Sequence, residues 1–257
     1  MHSVPKPRGK PTEARGRRVR TDVWSKADLH IHSDHSDGLA SIPEIMEYVQ
    51  HSTDLRVIAI TDHNTLEGAL EARERAEEYD FDVIVGEEVS SKQGHVLGLY
   101  LEEEIRGGMS ATDTIRAIHE QGGLVVIPHP FSAQGVFGPM GRNTFAEAIN
   151  ELAFHALEVY NSLPYLSWAN RVASDIFAGG RGFAATGGSD AHVLRAVGKG
   201  CTVFRGTSAE DLRTSVERCE TRAEASRGGL ALAMRYVARY PQIRRMQAQN
   251  WERCRAS

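Results

Sequence analysis

Residues 27–38, with the sequence ADLHIHSDHSDG, hold three histidines and three aspartates in twelve positions. Burying such groups without partners costs free energy, so the segment is either a solvated loop or the site of a ligand that compensates them. His30 and His32 are separated by one residue, and on a strand that spacing turns both side chains to the same face. The pattern therefore predicts two imidazoles presented side by side at the end of a first strand.

Other histidines and carboxylates lie at the ends of later apolar runs. They are Asp62 and His63 after IAIT, Glu87 and Glu88 after VIVG, His95 before VLGLYL, His129 after VVIP, and Asp190 and His192 in GGSDAH. Each of them alone could be a structural residue or part of a turn. In parallel α/β folds, however, the carboxyl ends of the strands share one face, so we expect these groups to converge.

The mixture of imidazoles and carboxylates predicts metal binding. In the absence of thiolates, this set of donors suits Zn, Mn or Fe in open, hydrolytic sites. The number of such groups exceeds the needs of a single ion. We therefore expect a cluster of two or three divalent ions.

Short apolar runs alternate with amphipathic segments along most of the chain. The runs are 27–32, 56–61, 82–85, 95–101, 124–127, 156–160, 182–186 and 201–204, and the amphipathic segments lie near 41–51, 65–79, 111–121, 143–154, 165–179 and 208–219. Ser41 before Pro43 predicts a helix start, and the pairs that begin at Gly122 and Gly179 predict helix ends. The alternation favours an α/β fold with a largely parallel sheet, either open or closed into a barrel.

The composition is that of a globular protein, with 41% hydrophobic and 25% charged residues. The sequence has no run of about 18 apolar residues, so we expect no membrane span. The basic N-terminus lacks the apolar segment of a secretory signal. Three scattered cysteines, Cys201, Cys219 and Cys254, predict reduced thiols and a cytoplasmic location.

Charge is distributed unevenly along the chain. Residues 1–20 have a net charge of +6 and residues 220–257 one of +5, whereas the remainder has a net charge of −15. We expect a disordered basic leader over 1–22, a catalytic barrel over 23–219 and a basic helical tail over 220–257. The tails either aid solubility or contact nucleic acid, and the acidic body is either a solvated surface or a cation-binding one.

The motifs DLHIHSDHSDG, ITDHNT, GEEVSS, HVLGLY, IPHP and GGSDAH occur in the order found in a known family. Over roughly residues 26–205 the chain resembles the PHP (polymerase and histidinol phosphatase) domain family, in its small metal-dependent phosphoesterase form. The resemblance implies a distorted (β/α)7 TIM-like barrel. It also implies a trinuclear metal site at the C-terminal ends of the strands.

Nine metal ligands follow from the resemblance. His30, His32 and Asp190 would hold the first ion, Glu88 would bridge it to a second ion bound by His95 and His129, and Asp37, His63 and His192 would hold the third. Asp28 and Asp62 lie beside ligands in the sequence. We expect these two carboxylates to orient imidazoles.

Two residues are candidates for catalytic roles in addition to the ligands. They are Asp62 and Arg195. Arg195 follows His192 by three residues and is either a clamp on a phosphate group or an exposed loop arginine. Arg142 is a further candidate for such a clamp. His35 is either an exposed loop histidine or a substrate contact.

The resemblance implies a metal-dependent phosphoesterase, in which a hydroxide that bridges two ions attacks phosphorus. The expected substrate is a small phosphorylated metabolite or a nucleotide. The alternatives are an exonuclease or phosphodiesterase that acts on nucleic-acid ends, and a non-catalytic, metal-stabilised module. Only 33 residues separate His95 from His129, enough for one loop and one helix, and residues 131–154 are the expected substrate-facing loop.

Overall fold

The computed structural model describes residues 23–138, 152–180, 182–225, 236–246 and 248. Its strands are β1 (Trp24–Ile31), β2 (Leu55–Ile60), β3 (Asp82–Ser90), β4 (His95–Leu99), β5 (Leu124–Ile127), β6 (Ala156–Asn161), β7 (Ala184–Gly188), β8 (Gly200–Arg205) and β9 (Arg222–Ala225). Its helices are α1 (Ile42–Ser52), α2 (Glu67–Arg75), α3 (Ala111–Glu120), α4 (Ser167–Phe177), α5 (Ala209–Glu217) and α6 (236–246), with short 3₁₀ turns at Ala76–Glu78 and Leu194–Ala196.

The nine strands of the described residues form one sheet in the order β7-β6-β5-β4-β3-β2-β1-β8-β9. β1, β2 and β3 pair in parallel, as do β5, β6 and β7. A bridge between Ile31 and Ala191 joins the end of β1 to the segment after β7, so the sheet nearly closes into a barrel. This arrangement confirms the expected TIM-like α/β barrel, but not the expected number of seven β/α units.

Strands β4 and β8 depart from the expected parallel arrangement. β4 runs antiparallel between β3 and β5, and β8 runs antiparallel to β1 and β9. Only residues 91–94 connect β3 to β4, and so short a connection cannot make the crossover that parallel strands need. The reversal places His95, the first residue of β4, at the same edge of the sheet as the last residues of β3.

Apolar side chains are buried on both faces of the sheet, as expected for strands that helices cover. Ile58 and Ile60 of β2 pack in one cluster with side chains of α1, α2 and α3. Val57 and Ala59 belong to a second cluster, which includes Leu212 of α5. Successive residues of β2 join different clusters because side chains alternate between the two faces of a strand.

Helix ends follow the signals in the sequence. The Glu44 carboxylate accepts hydrogen bonds from the backbone N–H of Ser41 at 2.9 Å and from its hydroxyl at 2.8 Å. This arrangement fixes the first turn of α1 after the loop that contains residues 32–40. α3 ends before Gly122, whose φ of 71° lies in the left-handed region that favours glycine.

The sheet and helices continue beyond residue 219, where we expected the barrel to end. β9 adds an edge strand, and α6 packs against the barrel through Tyr236 and Ile243, which are 4% and 0% exposed. Features that lie wholly or largely outside the described residues are the expected leader at 1–22, the expected helix near 143–154 and Arg142. In the described ranges, no helix combines the length and apolar character that a membrane span requires.

Candidate metal centre

The structure brings all nine expected ligands together at one end of the barrel. Apart from the partly exposed His95, all of them are buried: His30, His32, Asp37, His63, Glu88, His129, Asp190 and His192. Most of them lie at or just after the C-terminal ends of strands, and His95 joins them because β4 runs in the opposite direction. A buried group of this kind is stable only where its members are paired or bind ions.

Glu88 lies at the centre of the group. Its Oε1 lies 2.9 Å from Nδ1 of His95 and 3.0 Å from Nε2 of His129. Its Oε2 lies between 3.2 and 3.3 Å from ring nitrogens of His30, His32 and His63. A carboxylate that faces five imidazoles is placed to bridge neighbouring cations.

Asp190 and Asp37 flank Glu88. Oδ1 of Asp190 lies 3.3 Å from Nε2 of His32 and 3.5 Å from Nδ1 of His192. Oδ2 of Asp37 lies 3.0 Å from Nε2 of His192 and 3.7 Å from Nε2 of His63. The three carboxylates and the imidazoles therefore form one continuous network of potential ligands.

Two of the expected ligands have unusual backbone angles. The φ angle of His129 is 27° and that of Asp190 is 52°. Such left-handed conformations cost non-glycine residues of order 1–3 kcal/mol and are concentrated at functional sites. The surrounding fold thus holds both side chains in place against a local backbone penalty.

Four overlapping sets of described side chains have donor atoms within 4.8 Å of one another. The sets are His32 with Asp37, His63 and His192; His30 with His32 and Glu88; His30 with His129 and Asp190; and His63 with Glu88 and His95. The first set contains the three ligands expected for the third ion, together with His32.

Ring nitrogens without hydrogen bonds test whether ions fit this site. Among the described side chains, buried ring nitrogens of His30, His32 and His63 lie 3.2–3.3 Å from Oε2 of Glu88 but make no hydrogen bond of acceptable geometry. Leaving such an atom unsatisfied is costly, and a neutral imidazole nitrogen is a common metal ligand. The donor set and these nitrogens therefore fit divalent metal ions.

The electrostatics of the cluster act in both directions. Burial lowers the pKa of His30, His32, His129 and His192, but the facing carboxylates outweigh burial and raise all four values, that of His32 to about 10, so an ion that binds these rings displaces their protons. Burial by itself raises the pKa of Glu88 and of Asp190, but the facing imidazoles hold both pKa values well below their usual range. Burial lowers the pKa of His63 to about 4, so this imidazole is neutral near pH 7. Metal ligands must be deprotonated, as ionised carboxylates and a neutral imidazole are.

Glu158 and Asn161 of β6 belong to the site although no sequence motif pointed to them. Oε1 of Glu158 lies 3.1 Å from Nδ1 of His30, and its Oε2 accepts hydrogen bonds from the His129 N–H at 2.7 Å and the Asn161 amide at 2.9 Å. The Asn161 amide also donates to Oδ2 of Asp190 at 3.0 Å. Such partners orient metal ligands. The available signal was one acidic residue within the apolar run ALEVYN.

Asp28 and Asp62 hold loops in place through hydrogen bonds, and the expectation that they orient imidazoles stays a prediction. The Asp62 carboxylate accepts hydrogen bonds from the Ser33 N–H at 2.8 Å and from its hydroxyl at 2.6 Å. The Asp28 carboxylate accepts hydrogen bonds from the N–H groups of Ser189 at 3.0 Å and Gly198 at 2.8 Å. Burial raises the pKa of both carboxyl groups, that of Asp28 to about 6.

Arg195 and His35 lie outside the cluster. Arg195 is exposed on the 3₁₀ turn after β7. Nε2 of His35 lies 3.0 Å from Glu71 and its Nδ1 lies 3.4 Å from Glu67, so this ring contacts the surface of α2. Of the alternatives for His35, a loop histidine paired with helix carboxylates matches this position.

The fold and the site define a class: α/β barrels that collect imidazoles and carboxylates for metal ions at one end. Residues 28–155 match the family model of the PHP domain, and residues 168–221 match that of the PHP-associated region. The chain belongs to the PHP domain family.

Relatives of known sequence extend this result. Two proteins of Methanocaldococcus jannaschii, both described as uncharacterised, are similar to the chain. The first is 33% identical over 159 residues, which cover 58% of this chain and 88% of the relative. The second is 31% identical over 179 residues, which cover 70% of this chain and 70% of the relative. A 5′-3′ exoribonuclease of Haemophilus influenzae is 35% identical over 85 residues, 32% of this chain and 31% of that enzyme.

A solved structure from Bacteroides vulgatus shares the fold. It is a two-domain protein described as containing a predicted PHP-like metal-dependent phosphoesterase, and the TM-score is 0.66 at 20% sequence identity. The similarity covers 80% of this chain and 66% of that protein. The chain therefore spans about two thirds of the length of this structural relative.

Proposed function

We propose that the chain is a metal-dependent phosphoesterase that hydrolyses the phosphate ester of a small phosphorylated metabolite or a nucleotide. The observation that carries the proposal is Glu88, a buried carboxylate that faces five imidazoles, three of which have ring nitrogens that make no hydrogen bond of acceptable geometry. Membership of the PHP domain family supports the same class of reaction.

Zn, Mn or Fe ions, two or three per chain, suit this set of donors. When bound, such ions supply a nucleophile near neutral pH and offset charge on a phosphoryl group. The chain orients the ligands: Glu158 lies at Nδ1 of His30, and Ser132 lies 3.1 Å from Nδ1 of His129. In both rings, Nε2 then faces Glu88. Because these contacts are already formed before a substrate binds, the ligand side chains need little reorganisation during the reaction.

The two additional candidates take different roles in this proposal. Asp62 is a positioning residue, because its carboxylate holds the loop after β1 through Ser33. Arg195 is exposed, follows His192 by three residues, and is proposed to bind a phosphate oxygen by a charge-assisted hydrogen bond.

A second candidate function is cleavage at nucleic-acid ends. Arg239, Arg244 and Arg245 are exposed on α6, and exposed arginines attract a phosphate backbone. The partial similarity to an exoribonuclease supports this alternative over about a third of the chain.

A metal-replete activity screen tests the proposal. Protein loaded with Zn, Mn or Fe would be assayed against phosphomonoesters, nucleotide bisphosphates and short oligonucleotides. We expect turnover of monoesters that a chelator abolishes and added metal restores. His63→Ala should lower this turnover, whereas His51→Ala, on the exposed face of α1, serves as the control.

Three results of this screen would change the proposal. Preference for oligonucleotides would establish the second candidate function. Bound metal without turnover of any ester would favour a non-catalytic, metal-stabilised module and contradict the proposal. Unchanged turnover in His63→Ala would remove that residue from the metal centre.

A further inference from the structure

An aromatic cleft opens beside the metal centre. Its lining residues are Pro164 and Tyr165, between β6 and α4, and Tyr236, Val237 and Tyr240 of α6. The cavity has a volume of about 330 Å³, within the range of about 300–1,000 Å³ that small-ligand sites occupy. Tyr165 is 56% exposed, Val237 67% and Tyr240 43%. Large apolar side chains exposed together mark a binding surface.

The rings of the cleft lead inward to the expected ligands. Tyr236 is buried, and its ring lies edge-on to that of His192, with 6.3 Å between the centroids. On the outer side, the rings of Tyr165 and Tyr240 lie 6.0 and 6.1 Å from that of Tyr236. A substrate whose phosphate lies near His192 therefore has aromatic surface within reach of its other end.

The helix that carries two of these rings also carries exposed positive charge. Arg239, Arg244 and Arg245 are exposed on the same helix as Tyr236 and Tyr240. Proteins bind single-stranded nucleic acids with this combination, because bases stack on aromatic rings while cationic side chains attract the phosphates. The charge and the rings together favour a ligand with a flat, uncharged ring and at least one phosphate.

We propose that the cleft is a base-stacking subsite for the nucleobase of a nucleotide, or of a polynucleotide end, whose phosphate lies at the metal centre. The inference rests on the proposed function, since it names the substrate class of the same site. Tyr165 and Tyr240 present the exposed ring faces. Tyr236, which is buried beside the ring of Tyr165, forms the floor.

Equilibrium binding separates the contribution of the base from that of the phosphate. Titration calorimetry of the metal-loaded full chain would compare non-hydrolysable phosphonate analogues of adenosine monophosphate and of ribose 5-phosphate, which lacks the base. We expect the adenosine compound to bind roughly 5- to 100-fold more tightly. A phosphorothioate-linked trinucleotide forms the third arm. Tighter binding of the trinucleotide identifies a polynucleotide end, and equal binding identifies a mononucleotide.

Matched variants assign the effect to the cleft. Tyr240→Ala and Tyr165→Ala should each remove most of the affinity ratio between the two phosphonates. Tyr240→Phe should keep the ratio, because the ring face remains. Trp168→Leu should leave it unchanged, because this aromatic side chain is 55% exposed but does not line the cleft.

Several outcomes would overturn the subsite. They include equal affinity of the wild-type chain for the two phosphonates, and an unchanged ratio in both alanine variants when circular dichroism shows them to be folded. Concentration-dependent dimerisation that Tyr240→Ala abolishes would assign the cleft to a second copy of the chain. The two proposals can fail separately. If the proposed function is wrong, the activity screen shows no metal-dependent turnover, but calorimetry still measures how much the base contributes to binding.

Discussion

Glu87 and Glu88 are consecutive residues of β3, and they are 0% and 1% exposed. Because side chains alternate along a strand, the two carboxyl groups lie on opposite faces of the sheet. Burial raises the pKa of Glu87 to about 8. Burial acts on Glu88 in the same direction, but five facing imidazoles hold its pKa well below the usual range.

The two faces of β3 thus differ in the groups that contact a buried carboxyl group. On one face, Oε2 of Glu87 accepts a hydrogen bond from the Ile105 N–H at 2.8 Å, and its Oε1 has no hydrogen-bond partner among the described groups. On the other face, Glu88 belongs to a network of potential metal ligands. Equal burial therefore favours a neutral acid on one face and an ionised carboxylate on the other.

The largest effect should come from Glu88→Gln. The substitution removes the charge that all five imidazoles share, and a single amide oxygen cannot bridge two ions as a carboxylate can. We expect kcat/KM for a phosphomonoester to fall by more than about 100-fold, because substitutions of residues that merely support ligands already cost 10- to 100-fold. Steady-state kinetics in excess metal would measure it, and turnover close to that of the wild type would contradict the role of Glu88.

Glu158→Gln should have the next largest effect. The amide weakens the contacts with Nδ1 of His30 and with the His129 N–H, so both imidazoles are held less firmly. We expect metal affinity to fall by about 10- to 100-fold, with the fold retained. Competition with a chelator of known affinity measures the change. Glu120→Gln, exposed on α3, is the control, and equal affinities of the two variants would remove Glu158 from the site.

On the opposite face, Glu87→Gln should change stability and leave turnover intact. Since folding raises the pKa of Glu87 from 4.5 to about 8, its stabilising contribution is complete below about pH 4.5 and is lost as the pH rises through 8. The variant, neutral throughout, should gain roughly 2–4 kcal/mol relative to the wild type between pH 5 and pH 8. Urea unfolding at both pH values checks this, and parallel pH dependences of the two proteins would refute it.

Ser33→Ala should have the smallest effect of the four substitutions. It removes the hydroxyl that donates to Asp62 but keeps the backbone N–H that also donates. We expect a loss of about 1 kcal/mol in the free energy of unfolding and a modest fall in turnover. A loss of activity as large as that of Glu88→Gln would mean that the loop after β1 takes a direct part in the chemistry.

Much of the fold could be predicted because local signals agree with it. Alternation in DLHIH places His30 and His32 together, and periodicity locates α1, α3 and α5 within a few residues. The reversal of β4 was missed, although only residues 91–94 separate it from β3. β9 was missed because RAEA carries no apolar pattern, and the strand is defined by its antiparallel pairing with β8, which a local pattern does not encode.

The ligand set was more predictable than its support. Most of the expected ligands stand at the end of an apolar run, so their positions follow from the directions of single strands. Glu158 lies within a run and is 2% exposed, and its role depends on distant residues, His30 and His129. The hydrogen bonds of Asp62 are likewise tertiary contacts that spacing cannot predict. Motifs thus predict where ligands lie, and packing determines how they are held.

Metal content per chain tests the contrast between the two faces of β3 most directly. Elemental analysis by inductively coupled plasma mass spectrometry would compare the wild type, Glu87→Gln and Glu88→Gln after identical loading and desalting. We predict two or three ions per chain in the wild type and in Glu87→Gln, and a clear loss in Glu88→Gln. Equal metal content in all three proteins, or a loss confined to Glu87→Gln, would contradict the assignment of Glu88 as the central ligand.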